Sequence, residues 1–155
     1  MRIARFSLGG EVGFAVVEGE QLAVIDRHPF GELTFTGVRL PLADVRLLAP
    51  IIPSKVVAIG KNYADHAKEM GSEPPQTPLI FIKPSTSVIG PRDAIARPVA
   101  VTQLDFEGEL AIVIGRLARD VPAARALDVV LGFTCANDVT ARDQQRADVQ
   151  FTRAQ

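Results

Sequence analysis

Short apolar or alternating runs at residues 3–6, 12–17 and 22–25 are separated by Gly9-Gly10 and by Glu18-Gly19-Glu20, a pattern that predicts three β-strands joined by turns. Residues 1–50 therefore read as a small β-rich domain, and it carries no legible chemistry. Pro41, Pro50 and Pro53 punctuate the passage into K-V-V-A-I at 55–59, which predicts a buried strand. From Asn62 the run N-Y-A-D-H-A-K-E-M-G holds good helix formers and ends on Gly71, predicting a short helix or helical turn closed by a glycine cap. The proline-rich S-E-P-P-Q-T-P that follows reads as a surface connection, with a lid over a nearby site as the alternative. Next comes the apolar strand L-I-F-I-K-P.

The most informative stretch is L-D-F-E-G-E-L-A-I-V-I-G at 104–115. Read as one strand, it puts Glu107 and Glu109 on one face, roughly 7 Å apart along the backbone. Ala111 and Val113 continue that face, and Leu110, Ile112 and Ile114 line the other. Two carboxylates at the edge of an apolar region are costly unless a cation compensates them. Further on, Asp120 as a cap and Pro122 in the first turn predict a helix through A-A-R-A-L-D-V-V-L to Gly132. A strand F-T-C-A-N-D then delivers Asp138 at its end. With no internal repeat or low-complexity tract, the pattern gives a strand-rich α+β fold.

A length of 155 residues suits one domain, or one plus a small appendage, with enough chain to bury a real core. Seventeen basic and eighteen acidic residues leave a net charge of −1. That balance gives no footprint for nucleic acid or an anionic membrane surface. The N-terminus lacks the apolar stretch of a secretion signal and no run reaches a membrane span, so the expected location is the cytoplasm. Cys135 is the sole cysteine. It permits no internal disulfide and no cysteine-based zinc site, and it reads as a small buried apolar residue.

Glu107, Glu109 and Asp138 would form an all-oxygen donor set, suited to Mg²⁺, Mn²⁺ or Ca²⁺ rather than zinc. Three carboxylates leave about half of an octahedron open to water or substrate. Taken alone, an E-x-E pair is more often a solvated strand face, although the apolar strand around this one favours a site. His66 and Glu69, three apart, share a helical face, where a carboxylate can fix the tautomer of an imidazole that acts as a general base. A solvent-exposed pair is the plainer alternative. His28, followed by Pro29, has no comparable partner. Lys83, Arg142 and Gln145 could hold an anionic substrate, guanidinium groups gripping carboxylates in bidentate fashion.

Four segments together resemble the fumarylacetoacetate hydrolase superfamily, over residues 55–155. They are G-K-N-Y-A-D-H-A-K-E at 60–69, F-I-K-P-S-T at 81–86, D-F-E-G-E-L at 105–110 and N-D-V-T-A-R-D-Q-Q at 137–145. Their order, with 29 positions from Glu109 to Asp138, makes the match specific. The resemblance implies a mixed β-roll behind the small N-terminal β domain, with the C-terminal half of the roll missing from this sequence. It implies Mg²⁺ or Mn²⁺ on Glu107, Glu109 and Asp138, with Ca²⁺ as a crystal substitute. It also places a catalytic pair on His66 and Glu69, and substrate contacts on Arg142, Gln145, Lys83 and Gln155.

The implied activity is hydrolysis of a 2,4-dioxo acid such as an acylpyruvate, or keto–enol isomerisation of a 2-hydroxy-dienedioate in aromatic catabolism, through a metal-stabilised enolate. Oxaloacetate decarboxylation uses the same chemistry, and a homodimer is the implied assembly. Two departures stand out. The family's lysine after a T-R-A segment is replaced by Gln155, an amide that donates a hydrogen bond but brings no charge. Family members also continue for about a hundred residues more, so strands here would have open edges that favour aggregation or completion by a second chain. A metal-binding relative without turnover is therefore the rival expectation.

Overall fold

The computed structural model describes residues 1–69, 71, 73–148 and 151–155, with the His66 side chain outside that set. In chain order its elements are β1 (Ile3–Leu8), β2 (Glu11–Glu18), β3 (Gln21–Ile25), β4 (Phe35–Pro41), β5 (Arg46–Leu47), β6 (Val56–Gly60), α1 (Ala64–Glu69) and β7 (Leu79–Lys83). There follow β8 (Leu104–Asp105), β9 (Gly108–Ile114), β10 (Val130–Asn137), β11 (Thr140–Ala141) and α2 (Arg142–Ala147). Every strand pairing among the described residues is antiparallel, where the resemblance implied a mixed roll. No helix among them is long and apolar enough to cross a membrane.

The chain divides into two compact units. The first comprises Met1–Ile51, Ile89–Ala94 and Gly108–Asn137. Its five-stranded sheet runs in the order β4-β3-β2-β1-β5. Gly9 and Gly10, at φ 59° and 92°, make the two-residue turn between β1 and β2, a conformation that suits the right-handed twist of a hairpin. The three strands expected from the sequence are all present. The edge strands β4 and β5 were not expected, because F-T-G-V-R-L-P carries glycine and proline, which a sheet tolerates only at its rim.

Alternation puts Phe6, Ala15 and Leu22 on one face, packed with Ala4, Val17, Val24, Leu40, Leu42, Val45 and Leu47. Gly13 lies opposite Phe6 in the register. The phenyl ring occupies the space a side chain would need there, since a Cβ on Gly13 would lie 2.8 Å from Phe6 Cζ.

The same unit holds the β9–β10 pair. Glu109, Ala111 and Val113 form its half-buried face, whereas Leu110, Ile112, Ile114 and Phe133 are exposed on the other. Cys135 pairs opposite Leu110 and is exposed, which corrects the buried reading. The long run 104–115 is also two strands and not one. Phe106 and Glu107 interrupt it, so β8 pairs with β11 while β9 pairs with β10.

The expected helix after Asp120 is a run of 3₁₀ turns over Ala123–Val129. Asp120 sits at φ 50°, and Pro122 is the extended residue that precedes the run. Seven residues before β10 begins are too few to sustain an isolated α-helix, and none of them is buried to supply packing energy.

The second unit comprises Ile52–Val88, Ile95–Glu107 and Asp138–Gln155. Here β6 and β7 pair from Val56 opposite Lys83 to Gly60 opposite Leu79. Helix α1 ends as expected. Gly71, at φ 68°, donates its N–H to the Lys68 carbonyl at 2.9 Å. A 3₁₀ turn at Phe151–Arg153 is fastened to β7 by Thr152 Oγ1, which donates to the Ile82 carbonyl at 2.7 Å, and by Phe151 meeting Phe81 edge-on at 5.6 Å.

Candidate active site

The second unit gathers three carboxylates and two cations in one polar cluster. Its frame is the pairing of β8 with β11, which sets Thr140 opposite Asp105 and Ala141 opposite Leu104. Arg142 follows Thr140 by two positions. It enters α2 on the side of Asp105 and donates from Nε to Asp105 Oδ2 at 2.9 Å. Its Nη2 lies 2.6 Å from Glu107 Oε1, and its Nη1 donates to Gln145 Oε1 at 2.9 Å.

The Arg142 side chain is 10% exposed and that of Glu107 18%. Burial pushes the guanidinium's pKa down, but the hydrogen bonds and charges of Asp105 and Glu107 outweigh it and lift the value above arginine's ordinary one.

Asp138 is tied to the same place by its backbone, its N–H donating to the Glu107 carbonyl at 2.8 Å. Its carboxylate forms an ion pair with Lys83, which stands at the end of β7 in the β6–β7 pair. Both partners are largely shielded, at 14% and 13% exposure.

Lys83, Arg142, Gln145, Glu107 and Asp138 thus lie together in this unit. Glu109 belongs to the first unit, on β9. Glu69 closes α1, and the side chain of its expected partner His66 lies outside the described residues. Gln155 follows the last 3₁₀ turn. Its Oε1 is buried without a hydrogen-bond partner among the described residues.

Among the described residues no three His, Cys, Asp or Glu side chains gather closely enough to hold a metal ion. The donor chemistry of Glu107 and Asp138 still fits one. Both are shielded carboxylates joined through one backbone hydrogen bond, each compensated by a cation, and hard oxygen donors of this kind select Mg²⁺ or Mn²⁺. A divalent ion bound there would compete with Lys83 and Arg142 for these carboxylates.

Three residues outside the sequence-based set complete the frame. Asp105 takes the Arg142 guanidinium, and Asp143 accepts hydrogen bonds from the Thr102 N–H at 2.7 Å and its hydroxyl at 2.9 Å. Arg146 Nη2 donates to Gln103 Oε1 at 3.1 Å. For Asp105 the signal was present, since residues 105, 107 and 109 alternate along one extended run of acids. Asp143 lies within the motif at 137–145 without a role implied there, and nothing local marks Arg146.

The profile described as "Fumarylacetoacetate (FAA) hydrolase C-terminal" matches residues 55–155, and one described as "Rv2993c-like, N-terminal" matches residues 1–50. The chain belongs to the fumarylacetoacetate hydrolase family.

Protein Rv2993c of Mycobacterium tuberculosis is 56% identical over 99% of this chain and 61% of its own length. Oxaloacetate tautomerase YisK of Bacillus subtilis is 45% identical over 88% of this chain and 46% of its own. In three dimensions the chain matches a 5-carboxymethyl-2-hydroxymuconate delta-isomerase from Mycobacterium smegmatis, with TM-score 0.90 and 51% identity over 99% of this chain and 61% of that one. It also matches a maleylpyruvate hydrolase from Sphingobium sp. SYK-6, solved with manganese(II) and pyruvate, at TM-score 0.72 and 28% identity over 99% of this chain and 62% of that one.

The chain therefore spans about three-fifths or less of the length of these relatives. They are enzymes where their names state an activity, and one of them binds a divalent metal ion.

Proposed function

We propose that the site serves an enzyme that interconverts keto and enol forms of a small 2-oxo dicarboxylate or 2-hydroxy-dienedioate. Hydrolysis of a 2,4-dioxo acid is the second reading. The observation that carries the proposal is the cluster itself, in which the Asp138 N–H donates to the Glu107 carbonyl, Lys83 pairs with Asp138, and Arg142 pairs with both Glu107 and Asp105.

In this reading Glu107 and Asp138 hold Mg²⁺ or Mn²⁺, with the remaining positions open to water or substrate. When bound, the ion supplies Lewis acidity toward neighbouring oxygens of an oxo acid. With Glu107 and Asp138 so engaged, Arg142 and Lys83 turn their donors to the two carboxylates of the substrate, and Gln145 adds a neutral hydrogen bond. His66, oriented by Glu69, moves the proton between carbon and solvent.

Residue 155 favours isomerisation over hydrolysis. Shifting a proton requires one base and stabilisation of one developing negative charge, whereas adding water to a distal carbonyl also requires that carbonyl to be polarised. Gln155 brings an amide without charge to the position of the family's lysine. The names of the isomerase and tautomerase relatives point the same way. The same reading carries a homodimer in the cytoplasm, the division into residues 1–50 and 55–155, and a place in aromatic catabolism.

The test follows oxaloacetate, a hydroxymuconate-type dioate and an acylpyruvate by ultraviolet absorbance, with and without Mn²⁺, in the native chain and in Glu107→Gln and Gln155→Lys. Mn²⁺-dependent keto–enol conversion, abolished in Glu107→Gln, is the expected result. Gln155→Lys is expected to raise hydrolysis. Failure to convert any of the three substrates would sink the reading and leave a metal-binding chain without turnover. Loss of carbon dioxide from oxaloacetate would replace isomerisation by decarboxylation.

A further inference from the structure

We propose that Asp105 is a positioning residue that acts through Arg142 to leave Glu107 available to a divalent ion. The inference rests on the reading of Glu107 as a metal ligand. Arg142 carries a single positive charge and two carboxylates share it, Asp105 at Nε (2.9 Å) and Glu107 at Nη2 (2.6 Å).

Asp105 is itself held in place. It is paired opposite Thr140, a fully buried residue, and it accepts a weak hydrogen bond from Gln103 Nε2 at 3.3 Å. The guanidinium is planar and rigid, so fixing Nε against Asp105 also fixes the direction in which Nη2 meets Glu107.

Two consequences follow if the Asp105 carboxylate is replaced by an amide of the same shape. The whole charge of a shielded guanidinium then falls on Glu107, because Asp105 was its other anionic partner within salt-bridge distance among the described residues. The guanidinium is also free to turn and grip Glu107 through two parallel N–H bonds, the geometry arginine favours with a carboxylate. Both effects make Arg142 a stronger competitor for the oxygens that the ion requires. Groups in this outer position commonly change metal affinity by about ten- to a hundredfold when altered.

The competition account differs from simple loss of a nearby negative charge. A long-range electrostatic loss persists whether or not Arg142 is present. An effect carried by the guanidinium vanishes once the guanidinium is gone.

The experiment titrates each protein with Mn²⁺ alone and reads the paramagnetic resonance signal of the free ion, so no turnover is involved. The native chain is expected to bind and Glu107→Gln to lose binding. Asp105→Asn is expected to weaken binding about tenfold, and Asp105→Glu, which keeps the charge, to recover most of that loss. In an Arg142→Met background, Asp105→Asn is expected to change nothing further.

Native affinity in Asp105→Asn, or equal weakening with and without Arg142, overturns the proposal while leaving the metal reading intact. Absence of Mn²⁺ binding in the native chain, or unchanged binding in Glu107→Gln, overturns the metal reading and this inference with it. Circular dichroism checks folding. Should Asp105→Asn alone unfold, Asp105→Glu and the comparison of Asp105→Asn/Arg142→Met with Arg142→Met still decide, since the double variant removes opposite charges together.

Discussion

Replacing Lys83 by Met gives the sharpest test of how the cluster is held. The substitution keeps most of the side chain's volume and removes its charge, leaving the Asp138 carboxylate, 13% exposed, without its ammonium. Breaking a buried pair by deleting one partner costs about 3–5 kcal/mol, because the survivor remains desolvated and uncompensated. Each partner here keeps roughly a seventh of its surface in water, so the lower end applies, about 3 kcal/mol. For a chain of 155 residues that lowers Tm by about 9 °C.

The assay is thermal unfolding by circular dichroism in the presence of a chelator, run on the native chain, Lys83→Met, Asp138→Asn and the double variant. The double variant should recover to within about 1 kcal/mol of native, since an apolar and amide pair of similar volume replaces an ion pair at little net cost.

Adding Mn²⁺ extends the test. At a hundredfold excess over its dissociation constant the ion stabilises by about 2.7 kcal/mol, and in Lys83→Met no ammonium competes for Asp138. The Tm of this variant should therefore rise more with Mn²⁺ than that of the native chain. A Lys83→Met Tm within 2 °C of native, roughly 0.7 kcal/mol, would show that the ion pair contributes little and that the electrostatic account of the cluster is wrong.

Two further predictions concern the frame. Gly13→Ala forces a Cβ to within 2.8 Å of Phe6 Cζ in the core of the first unit. It should destabilise by about 2 kcal/mol through overpacking, read as a lower denaturant midpoint with an unchanged slope. A midpoint equal to native would mean that the phenyl ring gives way freely.

The second prediction concerns pH. The Thr102 N–H, and after it the Thr102 hydroxyl, hold the Asp143 carboxyl below its ordinary value of 3.8. A carboxyl depressed on folding stabilises fully above its unfolded pKa and loses that contribution as pH falls through its folded pKa. Asp143→Asn should therefore melt lower than native at pH 6, and the gap should close below pH 3.8. A gap independent of pH would assign the loss to shape instead of charge.

Legibility in the sequence followed the range of the forces involved. The hairpins of the first unit were readable because Gly9-Gly10 and Gly19 mark turns and the apolar positions alternate between them, both local signals. The glycine at 71 likewise announced the end of α1. Failures came where partners distant in sequence decide. The run 104–115 reads as one strand from its composition, yet β8 and β9 pair with different strands, and Glu107 falls in the break between them. The helix expected after Asp120 had a local cap signal but no buried face.

Cys135 was judged by the habits of its residue type, although its side is set by register opposite Leu110, on the exposed face of β9 and β10. The candidate site divides the same way. Its carboxylates and cations were legible one by one as chemistry-bearing types in motifs. That Lys83 compensates Asp138 and Arg142 compensates Glu107 depends on contacts across 55 and 35 positions, which no local pattern encodes. Asp105 shows the intermediate case: its spacing from Glu107 was visible, but its role exists only because Thr140 lies opposite and Arg142 follows two residues later. The pairing of β8 with β11 is thus the step that turns a motif into a site.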